Sequence, residues 1–231
     1  MADGRCWRGA DEASLSAVRV KLEHVGAVAM CTIVWPLAPD AATSTVYSEC
    51  RRAIDLVNAE PDLVGMVITG SGKVFMQDRD RLEAGSAGKD FAAPLHGAAA
   101  DCIRALRYSP KPVVVAVNGL CQGRGLHLAL CASHAIASER AMFRMPELSR
   151  SLGGSRFNRV LTRLTTPRRM RDLLFTGGTL TARDALERGV ISGVTRHDLL
   201  LSEARTMVDR CDRMVPAATK KSSTMGVARP G

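Results

Sequence analysis

A run of β-branched residues that leads into a glycine-containing turn constrains this chain most. Val113–Val117 is apolar throughout, which predicts a strand buried on both faces. Asn118-Gly119 follows, then Gly123 and Gly125, and then a small apolar helix that reaches about residue 131. This order places a helix N-terminus, with unpaired backbone N–H groups, at the end of a buried strand. Such a place can stabilise negative charge that develops on oxygen.

Strands and helices alternate along most of the chain, which predicts an α/β fold. Thr181 and Asp184 form a plausible capping pair, and Gly189 is a helix stop. The polar stretch 77–90 is predicted as a mobile loop. Strands are predicted at 18–24, 27–35, 63–69, 113–117, 135–137 and 192–195, and helices at 44–59, 91–107, 123–131, 156–164, 167–175, 181–188 and 199–214.

Length and composition indicate one domain with a sizeable core. The chain has 231 residues and is 46% hydrophobic, and we expect a flexible segment 1–16, a folded domain 17–215 and a disordered tail 216–231. Its apolar runs are much shorter than the ~20 residues that cross a bilayer, and the first twelve residues lack a secretory signal pattern. The seven cysteines show no CxxC or metal-ligand spacing. We therefore expect reduced thiols in a cytoplasmic protein, with no membrane span, disulfide or metal site.

The net charge of +9 is partly explained by one arginine-rich segment. Between Arg150 and Arg171 there are seven arginines and no acidic residue. A solvated or subunit-facing surface is the first interpretation, and a site for the phosphates of coenzyme A or for an acidic carrier protein is the second. Nucleic acid comes last, because the run contains no stacking aromatics and no recognisable module.

Several short motifs in a fixed order carry a family resemblance. They are Val64–Gly70 with Lys73-Val74-Phe75; Asn118-Gly119 with Gly123 and Gly125; Phe143 with Pro146-Glu147; Leu174–Gly177; and Thr181-Ala182 with Ala185 and Gly189–Ile191. In this order and spacing they resemble the crotonase (enoyl-CoA hydratase/isomerase) superfamily over roughly residues 18–220. The resemblance implies a spiral of ββα units, here with a shortened C-terminal helical region, and a homotrimer or hexamer.

The resemblance also implies a mechanism. Family members polarise an acyl-thioester carbonyl with two backbone N–H groups, which correspond here to the amides of Arg79 and Arg124. Phe75, Asp80, Gly123 and Gly125 would surround the bound thioester, and no cofactor would be needed beyond the coenzyme A or acyl-carrier-protein substrate. One catalytic glutamate of the family's hydratases matches Glu147, and the other falls on His127. A histidine can act as a general base near neutral pH, but His127 can equally be a helix residue packed with Leu126 and Leu130.

Two departures from the family pattern leave the reaction open. The usual small residues before the first donor are replaced by Met76-Gln77-Asp78-Arg79, and the Gly-Gly-Gly turn is Gly123-Arg124-Gly125. The loss of glycine at 78 matters because glycine alone adopts positive φ without strain. The two arginines would either occupy the acyl tunnel or bind a substrate carboxylate.

Three functions therefore stay open from the sequence. The first is an enoyl-CoA hydratase/isomerase-like enzyme that stabilises an enolate, with Glu147 as acid and base. The second is a decarboxylase or dehydratase that acts on a carboxylated acyl-CoA or acyl-carrier-protein substrate, as in polyketide β-branching. The third is a catalytically inactive homologue that binds acyl-CoA or a partner chain.

Overall fold

The computed structural model describes residues 19–35, 43–77, 92–123, 125–144 and 179–214. A six-stranded sheet runs through its centre. Its strands are β1 (Arg19–Val25), β2 (Val28–Val34), β3 (Gly65–Gly70), β5 (Val113–Val117), β7 (His134–Ser138) and β10 (Gly193–Thr195). Their order across the sheet is β1-β2-β3-β5-β7-β10, with β1 antiparallel to β2 and all other neighbours parallel.

A second, four-stranded sheet is built from shorter strands. They are β4 (Val74–Met76), β6 (Leu120–Gln122), β8 (Met142–Arg144) and β9 (Thr179–Thr181), in the order β4-β6-β8-β9. The pairs β4/β6 and β6/β8 are parallel, and β8/β9 is antiparallel. The hydrophobic pattern of the sequence predicted none of these four strands.

The two sheets are connected by repeated ββα units. The chain passes from β3 into β4 and then reaches the helix α2 (Ala92–Arg107). It next passes from β5 into β6 and then enters α3 (Gly125–Cys131). Each unit therefore contributes one strand to each sheet, which confirms the predicted α/β spiral of ββα units. The remaining helices are α1 (Thr43–Ala59), α4 (Ala182–Glu187), the short 3-10 helix His197–Leu199 and α5 (Leu200–Met214).

Burial on both faces explains why β5 is an unbroken run of apolar residues. Val113, Val115 and Val117 point into the main core, which also contains α1, α2 and α3 residues. Val114 and Ala116 point the other way and pack with buried residues of α5. Because successive side chains of a strand alternate between faces, a strand covered on both sides needs apolar residues at every position.

Side chains satisfy backbone groups at the ends of two helices. In α4, the Thr181 hydroxyl accepts a hydrogen bond from the Asp184 amide (3.1 Å), and the Asp184 carboxylate accepts one from the Thr181 amide (2.9 Å). This confirms the predicted capping pair. At the C-terminal end of α1, the Lys111 ammonium donates to the carbonyl oxygens of Val57 (2.8 Å) and Glu60. A lysine here satisfies helix-end carbonyls that lack intrahelical partners.

The structure confirms the predicted helices and strands in the ranges that it describes, with ends that differ by about two residues. The predicted helices 156–164 and 167–175, most of the loop 77–90, and the terminal segments 1–16 and 216–231 lie outside those ranges. The boundaries of the folded domain stay a prediction. Within the part of the chain described, no helix is both long and apolar enough to cross a membrane.

Candidate active site

Two parallel strands of the second sheet bring the glycine turn beside the end of β4. Val74 is opposite Leu120 and Met76 is opposite Cys121, with an irregular register between these pairs. Both strands therefore end on the same side, where β6 leads into the turn at Gly123 and β4 leads into residue 77. Residues 45 and 46 positions apart in sequence thus become neighbours at one edge of the sheet.

Asn118 fixes the two connections that lead into this edge. Its side-chain oxygen accepts a hydrogen bond from the Gly70 amide (3.0 Å), and its side-chain nitrogen donates to the carbonyl of Gly72 (2.9 Å). Asn118 itself is 8% exposed, whereas its partner Gly70 is half-buried and Gly72 is exposed. The turn before β4 is therefore tied to the turn before β6.

The backbones of these two turns also touch directly. The amide of Leu120 donates to the carbonyl of Lys73 (2.9 Å). A Cβ atom added to Gly119 would lie 2.0 Å from the same carbonyl oxygen. A larger residue at 119 would therefore separate the strands β4 and β6, which explains the glycine at this position.

The turn after β6 depends on glycine in two different ways. Gly123 has φ +56°, a left-handed conformation that favours glycine, and its amide donates to the carbonyl of Arg144 in β8 (2.9 Å). Gly125 begins α3, and a Cβ atom there would lie 2.9 Å from Met76 Cβ and 3.1 Å from Cys121 Sγ. Gly125 at the start of α3 therefore packs directly against Met76 in β4 and Cys121 in β6.

His127 lies in the first turns of α3 and is largely enclosed. It is 8% exposed and is flanked in sequence by the buried Leu126 and Leu128. Leu130, which we expected to pack beside it, is partly buried against the same core. His127 therefore sits within the core that supports the turn, with a small part of its surface accessible.

Phe75 is fully buried and belongs to the core. The backbone carbonyl of Phe75 accepts a hydrogen bond from the indole Nε1 of Trp35 (3.0 Å). Phe75 therefore contributes its backbone to this region, while its side chain is part of the core. The other predicted site residues, Arg79, Asp80, Arg124 and Glu147, lie outside the described ranges. Of the predicted set, the structure places Phe75 in β4, Gly123 in the turn after β6, and Gly125 and His127 in α3. Sequence reasoning missed Trp35, Met76 and Cys121, which no periodic signal connects.

The Cys121 thiol at this site and the Cys131 thiol at the other end of α3 are both buried, and burial raises the pKa of each. Cys121 is fully buried beneath Gly125, and burial raises the pKa of its thiol. At the far end of α3, burial raises the pKa of Cys131 to about 11, while the nearby Arg107 lowers it slightly. Neither is suited to act as a nucleophile near neutral pH. In the described segments, no group of three or more His, Cys, Asp or Glu side chains has the arrangement of a metal site.

Comparison with known proteins finds related sequences and the same fold. The chain is 30% identical over 202 residues to a crotonyl-CoA hydratase of Syntrophomonas wolfei, covering 82% of this chain and 74% of the relative. It is 28% identical over 192 residues to a 2,3-dehydroadipyl-CoA hydratase of Escherichia coli, covering 83% and 74% respectively. The crystal structure of an enoyl-CoA hydratase/isomerase from Xanthobacter autotrophicus superposes with a TM-score of 0.76 at 26% identity, over 89% of this chain and 77% of that one.

The match to the family as a whole is nearly as long as the chain. The family model described as enoyl-CoA hydratase/isomerase matches residues 23–226. This range includes both sheets except the first four residues of β1, the Asn118–Gly125 turn and all predicted site residues. Together with the relatives above, it shows that the chain belongs to the enoyl-CoA hydratase/isomerase family, the crotonase superfamily.

Proposed function

We propose that this protein stabilises the enolate of an acyl-CoA or acyl-carrier-protein thioester, with the backbone amides of Arg79 and Arg124 as donors to the thioester oxygen. The observation that carries the proposal is the parallel pairing of β4 and β6, with Met76 opposite Cys121 and Gly125 packed on both. Residues 79 and 124 each follow one of these strand ends by a few positions. One well-placed donor to the oxygen lowers the barrier by about 2.7–4 kcal/mol.

Proton transfer is assigned to Glu147, with His127 as its assistant in hydration. A hydratase needs two groups to hold and activate water, whereas an isomerase needs one base that moves a proton between two carbons. His127 stands where family hydratases carry their first glutamate, and a neutral imidazole can accept a proton near pH 7. We therefore infer that Glu147 serves both reactions and that His127 serves hydration alone.

A carboxylated substrate is the second candidate. Arg79 and Arg124 stand where family members usually have small residues. A guanidinium group binds a carboxylate with two parallel hydrogen bonds. One relative is named for a dehydroadipyl thioester, whose acyl group carries a second carboxylate. Decarboxylation would use the same enolate chemistry where the carboxylate lies on the α-carbon, or on the γ-carbon of a 2-enoyl thioester, because the electron pair left by the departing CO2 then enters the enolate and is protonated at carbon. Dehydration of a 3-hydroxyacyl group on coenzyme A or a carrier protein would pass through the same enolate, which expels the hydroxyl group as water.

A non-catalytic, ligand-binding role is the third candidate, and the enclosure of His127 supports it. At 8% exposure the imidazole has little surface with which to reach a substrate water. In this case acyl-CoA would bind and be released unchanged.

The proposal also includes a homotrimer or hexamer, inferred from the resemblance, and a cytoplasmic location, inferred from the composition.

Turnover assays with three thioesters separate these candidates. Purified protein is incubated with crotonyl-CoA, a 3-enoyl-CoA and 2,3-dehydroadipyl-CoA, and enoyl-thioester absorbance and product mass are followed. We expect turnover of at least one substrate by the wild type and a loss of about 100-fold or more in Glu147→Gln. His127→Gln should reduce hydration of crotonyl-CoA while it leaves isomerisation of the 3-enoyl-CoA intact.

Glu203→Gln is the matched control. Glu203 is an exposed residue of α5, which packs on the opposite face of the six-stranded sheet from the second sheet. This variant should keep wild-type kinetics. Binding of all three thioesters without any turnover would refute hydration and isomerisation of coenzyme A thioesters and favour the binding role. Unchanged hydration in His127→Gln would make that residue a packing residue.

A further inference from the structure

Trp35 connects the end of β2 in the six-stranded sheet to the edge strand β4 of the four-stranded sheet. It directly follows β2 of the six-stranded sheet, is half-buried and packs against the main core. Its indole N–H donates a hydrogen bond to the carbonyl of Phe75 (3.0 Å), the central residue of β4. An indole has a single donor and no acceptor, so this bond fixes both the ring and the peptide that it meets.

The strand that Trp35 holds has little support of its own. β4 is three residues long, lies at the edge of the four-stranded sheet, and pairs irregularly with β6 between Val74 and Met76. Asn118 anchors the turn that precedes it, at Gly70 and Gly72. The Trp35 bond acts further along, at the peptide that joins Phe75 to Met76.

The peptide after Phe75 has consequences for the candidate site. Met76 lies against Gly125 at the start of α3, at a distance that allows no extra atom between them. A rotation of the Phe75–Met76 peptide would therefore move the end of β4 relative to the glycine turn. Displacements of about 1 Å in groups that surround a reacting centre can cost up to about 100-fold in rate.

We propose that Trp35 is a positioning residue, whose indole N–H aligns the end of β4 with the start of α3 for polarisation of the thioester carbonyl. This inference rests on the proposed function. Trp35 does not touch the substrate. It acts through the Phe75 carbonyl, so its removal changes the alignment of the donors rather than the affinity for coenzyme A.

The test combines kinetics with the infrared stretch of the bound thioester carbonyl. Trp35→Phe keeps an aromatic ring and removes the N–H group. With ¹³C-labelled crotonyl-CoA, or whichever enoyl-CoA the wild type turns over faster, we expect kcat to fall about 10-fold with KM nearly unchanged. The carbonyl stretch of the bound thioester, which falls when its oxygen accepts hydrogen bonds, should move back toward its value in solution.

Two further variants make the result specific. Benzothienylalanine at position 35, in a Trp7→Phe background, keeps the shape of the indole but has sulfur in place of N–H, and should reproduce the effect of Trp35→Phe. Ser109→Ala removes a half-buried hydroxyl that donates to the Lys111 carbonyl (2.7 Å), on the α1 side of the fold. It should leave kcat and the carbonyl stretch unchanged.

The outcomes distinguish failure of this inference from failure of the proposed function. A wild type that polarises the carbonyl, with Trp35→Phe and the sulfur analogue unchanged in both kcat and stretch, would overturn the positioning role alone. A wild type that neither turns over the thioester nor shifts its carbonyl stretch would overturn the proposed function and the positioning role with it.

Discussion

Gly125 lies directly against Met76, and a Cβ atom on Gly125 would be 2.9 Å from the Cβ of Met76. Cβ positions are fixed by the backbone, so neither side can yield without moving a strand or a helix. We expect Gly125→Ala to lower the free energy of unfolding by about 1–3 kcal/mol, as overpacking of a dense core does. Activity should fall further than stability explains, because the displaced elements are β4 and α3. Urea denaturation and kcat measure the two effects.

Gly97→Ala provides the matched control for that substitution. Gly97 is an exposed residue of α2, and an added Cβ would meet no atom within 4 Å. Alanine in a helix interior is more favourable than glycine by about 0.5–1 kcal/mol. The variant should therefore be more stable than the wild type, with unchanged kcat. Equal destabilisation by the two alanines would contradict the close contact at Gly125.

The Asn118 side chain is expected to be essential for the alignment of the two turns. Asn118→Ala leaves the Gly70 amide and the Gly72 carbonyl without these bonds and should cost about 1–3 kcal/mol. Asn118→Asp keeps the acceptor for Gly70 but turns the donor toward Gly72 into a second acceptor. Its destabilisation, measured by urea denaturation, should be smaller at acid pH, where the carboxyl group can donate. An Asp variant whose stability has the pH dependence of the wild type would argue against the bond to Gly72.

Asp184 should make stability depend on pH in the acid range. Hydrogen bonds from the hydroxyl and then the amide of Thr181 lower the pKa of this carboxyl group from its ordinary value of 3.8. The stabilisation is therefore fully present above 3.8, and it is lost as the pH falls through the lower pKa of the folded state. Asp184→Asn should remove that part of the pH dependence. Thermal melts from pH 6 to pH 2 test this, and identical curves for both proteins would contradict it.

Cysteine alkylation should follow burial. Cys211 on α5 is partly exposed, whereas Cys31, Cys50, Cys102, Cys121 and Cys131 are buried. Burial raises the pKa of the Cys102, Cys121, Cys131 and Cys211 thiols, and at Cys50 the pKa is raised first by a hydrogen bond with Cys31 and then by burial. At pH 8, iodoacetamide should label Cys211 first of these six, and the others only after unfolding, as judged by peptide mass mapping. Native labelling of Cys121 at the rate of Cys211 would show that the contact with Gly125 opens readily.

Much of the fold was predictable because its elements carry signals that depend on residue types at neighbouring positions. The run Val113–Val117 predicted a strand with two buried faces, and Thr181 with Asp184 predicted the start of α4. The family motifs predicted the turn at Gly123 and Gly125. Each of these signals is local, since it depends on residues that are neighbours in sequence.

The second sheet was not predictable from such patterns. Its strands β4, β6, β8 and β9 are three residues each, too short for an alternation to be recognised. They pair because contacts between the preceding turns hold them side by side. The hydrogen bonds of Asn118 with Gly70 and Gly72 are such contacts. These contacts join residues that are 46–48 positions apart.

The sequence by itself determined the family, the central strands and the glycine turn, because these depend on local residue types and their spacing. Only the tertiary structure decided that Trp35 holds Phe75, that Met76 supports Gly125, and that His127 is enclosed. The physical reason is that hydrogen bonds and close packing between distant segments have no periodic pattern in the chain. They arise when the two sheets come together, and the geometry of the candidate site depends on them.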